Sequence, residues 1–259
     1  MLDDIVMSKQ REVELAKGDV PFEDLKARLA SHLTERGLRQ AIHRPGTLSL
    51  IAELKRKSPA KGMLREWFDP VNLAMTMEKA GASALSVLTD EPYFGGHLEF
   101  LRDAKQFTEV PVLRKDFIVD PYQVYEAAFY GADAVLFIIR ILTSDRLIEC
   151  MQAADVLGLE PIVEVHSEAE LKVALNSGAH VIGINHRDLR TFQMDPSLTE
   201  QLVPKIPAGK VIVAESGIQT AQDVKRMQSL GVHALLIGEA LMTAPDPAEK
   251  IRELFAGTW

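Results

Sequence analysis

The sequence predicts an α/β fold, eight strand–helix units closed into a (β/α)8 TIM barrel with an N-terminal helical extension. Three observations point there. Four segments repeat at intervals near fifty residues: "GASALSVLTD" from Gly81, "GADAVLFIIR" from Gly131, "GAHVIGINHRD" from Gly178 and "GVHALLIGEALM" from Gly231. Each joins a glycine that can end a helix to an apolar, β-rich run. Four further apolar runs, "LSLIAELK", "VPVLRKDF", "LEPIVEVH" and "GKVIVAESG", interleave with them and bring the strand candidates to eight. Most of the gaps between runs carry helix-start signals. Strands that are apolar almost throughout and alternate with helices argue for a parallel sheet. Eight such units favour closure. A doubly wound open sheet is the alternative, but no Gly-x-Gly-x-x-Gly turn occurs.

The elements follow in order. Residues 1–45 precede the repeat. Phe22, Leu25, Leu29 and Leu33 keep helical spacing after Pro21 and predict one or two helices covering a barrel end. An extension this short is not expected to fold alone, so residues 1–259 read as a single barrel domain with 1–45 as its N-terminal helical extension. After the first strand, "DPVNLAMTMEKAG" opens with Asp69 as N-cap and Pro70 at the first helical position. "DPYQVYEAAFYG" from Asp120 and "SEAELKVALNSG" from Ser167 repeat the pattern, with Ser167 and Glu170 spaced as a capping box. "TAQDVKRMQSLG" follows the seventh strand, and "DPAEKIRELF" starts at Asp246 and Pro247.

Composition narrows the function classes. The 259 residues are 47% hydrophobic and 25% charged, an ordinary globular balance. A net charge of −8 disfavours a general nucleic-acid binder, and an anionic ligand would need local cations. No apolar run approaches the ~18 residues of a membrane span. The N-terminus has Asp3 and Asp4 and no signal pattern, and one cysteine, Cys150, fits a reducing cytosol, so a cytoplasmic location is expected. Cys150 sits in an amphipathic pattern and reads as inert packing. The seven histidines show no metal-ligand spacing, so no metal is expected.

Chemistry concentrates at the ends of the odd strands. The first carries Glu53 and Lys55, the third Lys115, the fifth Glu164 and the seventh Glu215. Alternate strands of a closed barrel fill the same interior layer, so these five groups should converge at the C-terminal mouth. Interleaved signs lower the cost of burying them and shift their proton affinities. Any one of them could instead be a solvated loop residue; five at matching positions favour an active site. The loops after strands seven and eight are the usual phosphate site of this architecture. There, main-chain N–H groups of Gly217, Gly238 and Glu239 could face an anion, with Ser58 adding a hydroxyl. Both glycines could equally be plain turn residues. Glu239 suits such a site only if its carboxylate points away. Asn185 ends the sixth strand, where an amide can hold a hydroxyl or carboxylate. Ser216 is a binding hydroxyl or a turn residue. His186 is expected to face solvent, and Arg187 and Asp188 to pair with each other. Phe94 and Phe117 follow strands two and three; each could be core packing, and together they could form an apolar wall for an aromatic substrate.

The motifs "IAELKRKSPAKG", "SVLTDEPYFGG", "PVLRKDFIVDPYQ", "EPIVEVH", "IGINHRDLRTF", "VAESGI" and "LLIGEALM" occur in order, and the start "MLDDIVMSKQREV" matches as well. Together they resemble the indole-3-glycerol phosphate synthase family of tryptophan biosynthesis, over essentially the whole chain. The resemblance implies a cofactor-free carboxy-lyase. It would close the pyrrole ring of 1-(2-carboxyphenylamino)-1-deoxyribulose 5-phosphate, an anionic aromatic sugar phosphate, and release carbon dioxide and water. It implies Lys115 as general acid at the ribulose carbonyl, with Glu164 and Lys55 moving protons in the dehydration. Glu53 and Glu215 would orient the lysines, and Asn185, Arg187 and Ser216 would contact substrate. Phe94, Phe117, Leu136, Ile138 and Leu189 would line the anthranilate pocket, and Ser58, Gly217, Gly238 and Glu239 the phosphate site. A small-molecule substrate is the one partner implied, and a monomer is the working expectation. A sugar-phosphate isomerase on the same barrel, or a non-catalytic phosphate-binding barrel, are the alternatives.

Overall fold

Apolar runs form eight strands: β1 (Ser49–Leu54), β2 (Ala84–Leu88), β3 (Val112–Lys115), β4 (Ala134–Ile138), β5 (Glu160–Val165), β6 (Val181–Asn185), β7 (Val211–Glu215) and β8 (Ala234–Ile237). The computed structural model describes residues 1–29 and 36–259. All neighbouring strands are parallel, and β1 pairs with β2 on one side and β8 on the other, which closes the barrel. Ser49 lies opposite Ala234, and Ile51 opposite Ala84.

Closure sorts the side chains by their alternation along each strand. Leu50, Ala52 and Leu54 of β1 pack outward beneath the helices. Ile51 packs inward with Ala84, Leu113, Leu136, Ile162, Val213 and Leu236. One step further along the same inward face, at the C-terminal end, the apolar residues give way to Glu53, Lys115, Glu164 and Glu215. The lower barrel is therefore a packed core and the mouth is ionic.

The helices start where their caps predict. Asp69 accepts from the N–H of Asn72 at the start of α4 (Pro70–Lys79), and Asp120 with Gln123 forms a capping box on α7 (Pro121–Phe129). Short helices α5 (Glu91–Phe94) and α6 (Leu98–Phe107) separate β2 from β3. Cys150 is buried in α8 (Ser144–Leu157), where burial pushes its thiol up to about 12. The capping box expected on α9 (Glu168–Asn176) is only half formed. Ser167 accepts from the Glu170 N–H, but the Glu170 carboxylate takes the N–H of His166 at 2.6 Å and Arg140 at 2.9 Å instead. Helices α10 (Leu198–Leu202), α11 (Ala221–Ser229), α12 (Glu239–Met242) and α13 (Pro247–Leu254) complete the chain.

Among the described residues three helices precede β1, and they reach both ends of the barrel rather than one. α1 (Leu2–Asp19) buries Leu2, Ile5, Lys9 and Val13 at helical spacing, α2 (Phe22–Arg28) buries Leu25, and Leu29 just beyond it is also buried. Leu33 lies outside the described residues. α3 (Leu38–Ile42) sits at the N-terminal end, where the Arg39 N–H bonds Glu160 at the start of β5 at 2.6 Å. α1 lies at the opposite rim, where Lys9 meets Asp90 after β2 at 3.2 Å and Asp116 after β3 at 3.0 Å. No helix among the described residues is long and apolar enough to cross a membrane.

Candidate active site

At the C-terminal mouth the strand ends and loops enclose a cleft of about 990 Å³. Every site residue expected from the sequence lines it except Leu136. Leu136 lies two residues below Ile138 on the inward face of β4, fully buried in the packed core. A two-residue step drops a side chain by about 6–7 Å, so Leu136 supports the floor and does not line it.

The ionic layer is built by alternation on the odd strands. Glu53 accepts from Lys55 Nζ at 2.5 Å, so the two residues leave β1 on one face and meet in the mouth. Across the barrel, Lys115 Nζ stands 3.5 Å from Glu164 Oε2 and 3.8 Å from Glu215 Oε2. Burial alone would push the Lys115 ammonium down, but Glu164, Glu215 and Glu53 outweigh it and hold its proton more tightly than usual. The two glutamates divide. Burial would raise Glu164, yet Lys115, His166 and Asn185 hold it below the ordinary carboxylate range. Burial and the Glu164 charge push Glu215 well up, against the pull of Lys115. One lysine thus sits between a carboxylate and a carboxylic acid. Both Glu164 oxygens are buried and, among the described residues, take ion pairs without hydrogen-bond geometry.

Two glycines make room for these acids. A Cβ on Gly183 would fall 2.3 Å from Glu215 Oε1, and one on Gly238 would fall 2.2 Å from Glu53 Oε1. Gly238 is therefore required by the acid beside it, not by its backbone angles, since its φ is −121°. Ser216 and Gly217 follow β7 with φ of 66° and 79°, a left-handed pair that bends the chain back over the cleft.

On the apolar side, the Phe94 and Phe117 rings lie 5.9 Å apart, tilted by 39°. Their backbones are pinned by buried acids. Asp90 accepts from the Phe94 N–H at 3.2 Å, and Asp116 from the Phe117 N–H at 2.8 Å. Ser58 enters from a small ladder pairing residues 57–58 with 62–63, and its hydroxyl accepts from the Lys61 N–H at 3.2 Å.

Three local expectations are corrected. The Glu239 carboxylate does not turn away. It accepts from Arg187 Nη2 at 3.2 Å and lies 3.8 Å from Lys61, because both cations face it across the loop. Arg187 and Asp188 do not pair. Their side chains diverge, and Asp188 takes Arg140 at 2.5 Å. His186 does not face solvent. The chain folds back after it, so its ring is buried between Thr199 Oγ1 at 2.6 Å and the Ser216 carbonyl at 2.9 Å. Sequence reasoning passed over His166, which stands just past β5 with its Nε2 3.2 Å from Glu164 Oε1. The only signal for it was a histidine two positions after an acid. Lys9 was also missed, because a lysine in an N-terminal helix looks like a solvated one.

Comparison with known proteins agrees with this geometry. A family model described as Indole-3-glycerol phosphate synthase matches residues 2–254. An indole-3-glycerol phosphate synthase of Carboxydothermus hydrogenoformans is 44% identical over 98% of this chain and 99% of its own. One of Dehalococcoides mccartyi is 50% identical over 79% of this chain and 80% of its own. Among solved structures, 3-hexulose-6-phosphate synthase from Salmonella typhimurium superposes with a TM-score of 0.64 at 16% identity, over 80% of this chain and 96% of that one, a likeness of fold alone. With a match that runs from α1 through all eight strands, the chain belongs to the indole-3-glycerol phosphate synthase family.

Proposed function

We propose that the cleft binds 1-(2-carboxyphenylamino)-1-deoxyribulose 5-phosphate and that the ionic layer closes its indole ring, releasing carbon dioxide and water. The observation that carries this reading is Lys115 standing between Glu164 and Glu215, two acids of opposite proton affinity. The Lys115 ammonium donates to the ribulose carbonyl as the aromatic carbon attacks it. Carbon dioxide then leaves the ring carbon that formed the new bond. Dehydration requires a proton delivered to the departing hydroxyl and another removed from the neighbouring carbon. Glu215, which holds its proton, suits the first task and the ionised Glu164 the second. Lys55, fixed by Glu53, pairs with the substrate carboxylate until it is lost.

The anthranilate ring fits against Phe94, Phe117, Ile138 and Leu189, which line one wall. The phosphate fits the opposite rim, where Ser58, Gly217 and Gly238 lie close to Arg187 and Lys61. Glu239 pairs with both of those cations, so a phosphate bound there competes with it for them. Asn185 Oδ1 accepts from the Arg187 N–H at 3.0 Å, which fixes the start of the loop that carries Arg187. We also infer that α1, α2 and α3 fold as one unit with the barrel, since Lys9 is buried against the loops after β2 and β3.

The direct test supplies the carboxyphenylamino sugar phosphate to the purified protein and follows indole fluorescence together with carbon dioxide. Turnover giving both products is expected. Product formation without carbon dioxide would favour an isomerase, and binding without turnover would reduce the cleft to a receptor.

A further inference from the structure

Among the described residues, His166 is the one histidine whose two ring nitrogens both face acids. Its side chain is 3% exposed, with Nε2 3.2 Å from Glu164 Oε1 and Nδ1 3.2 Å from Glu170 Oε2. A neutral imidazole has one N–H and one lone pair. In this position the lone pair would be pressed against a carboxylate whichever tautomer formed. Glu170 is fixed as a carboxylate, since it accepts from the His166 main-chain N–H and from Arg140 Nε. We propose that His166 is a positioning residue, a buried imidazolium clamped between Glu164 and Glu170 that decides which acid beside Lys115 carries the charge.

The asymmetry follows from counting neighbours. Glu164 has a cation on each side, Lys115 from β3 and His166 from its own strand end. Glu215 on β7 has Lys115 alone, at the longer distance of 3.8 Å. Two carboxylates sharing a buried site cannot both ionise freely, so the proton goes to the one with less cationic company. Remove the imidazolium and the gap between the two acids narrows. The Glu53 carboxylate on β1, which raises Glu215, and the neighbours below sustain only the remainder. The Asn185 amide on β6 is neutral and favours the charged Glu164. Arg140, in the turn after β4, is taken by Glu170 and by Asp188. Asp188 in turn accepts from the N–H groups of Arg190 and Thr191, so the chain of ions runs from Glu164 to the loop bearing Arg187 and Leu189. Burial would lower the ring's proton affinity, but Glu164 and Glu170 outweigh it and raise its pKa to about 9.

The inference rests on the reading that Glu164 moves protons in catalysis, and its tests separate from that reading. Imidazole nitrogen NMR on the full-length, substrate-free protein should find His166 doubly protonated at pH 7.5. In Glu164→Gln its titration should move down by at least about one pH unit, since an anionic neighbour is gone. A neutral ring at pH 7.5 in the wild type overturns the proposal, whatever the enzyme turns over. Kinetically, His166→Asn and His166→Gln should lower kcat about tenfold or more, with KM changed less than about threefold. The acid limb of the kcat profile should rise by about one pH unit, a tenfold change in proton affinity. Folded variants whose acid limb stays in place overturn it. If the wild type forms no indole product, the parent reading fails, and the NMR result still decides the state of His166.

Discussion

Lys115 is held at a single point by two acids, and that makes it the most exacting residue of the cleft. Replacing it with alanine leaves Glu164 and Glu215 facing each other with no cation between them. Turnover of Lys115→Ala should fall by at least ~10²-fold, the usual scale for a lost general acid, with single-turnover kinetics as the check. Near wild-type turnover would remove it from that role. Gly183 makes a subtler case. It has no chemistry, yet an added methyl would collide with Glu215 Oε1 at 2.3 Å and with Ile162 at 3.0 Å. Gly183→Ala should fold with a loss of about 1–3 kcal/mol, as overpacked cores do, and lose at least about tenfold in kcat because Glu215 must turn aside. Denaturant melts and steady-state rates measure the two effects separately. The charged residues of the mouth were legible in the sequence because strand alternation dictates where they point. Gly183 was not, since its partner lies on another strand and only the closed barrel brings them together.

Helix α1 reaches the cleft without lining it. Lys9 meets Asp90, Asp116 and Glu12, and the first two of these acids hold the main chains of Phe94 and Phe117. Burial would push the Lys9 ammonium down, but Asp116 and Asp90 outweigh it, and the cation is tightly protonated. Lys9→Met keeps the packing and removes the charge. It should cost roughly 3–5 kcal/mol, the penalty for leaving buried acids unpaired. If α1 and the barrel form one unit, thermal unfolding of that variant stays a single transition at a lower Tm. A separate early transition would show instead that the helix melts alone. Periodicity in the sequence revealed these helices because apolar spacing is a local property. It did not reveal that they reach opposite rims, since that depends on contacts with Asp90, Asp116 and Glu160, far away in sequence. The loop after β6 misled for a similar reason. Arg187 and Asp188 are adjacent in sequence, but the pairing of Arg187 with Met194 turns the loop back and sends their side chains to Glu239 and Arg140.

Across the molecule, His166 ties stability to pH. Its folded pKa of about 9 lies above the ordinary histidine value. The stabilisation is therefore complete below about pH 6.5 and is lost as pH rises through about 9, amounting to on the order of 3 kcal/mol. Urea midpoints of the wild type should fall between pH 6.5 and 9.5, and fall less in His166→Gln. Equal slopes would show that the ring contributes nothing. The barrel itself was readable from four glycines and the apolar runs between them, because a repeated unit writes the same pattern many times. A group such as His166 was not, because its partners at 164 and 170 signify nothing until Arg140 arrives from another strand. The seam between β1 and β8 carries a last consequence. A nascent chain that has reached residue 164 already holds Glu53, Lys115 and Glu164, yet β1 has no eighth strand to join until residues 234–237 emerge. The catalyst is expected to come into being only when that closing strand docks, so a polypeptide interrupted before it should show no turnover.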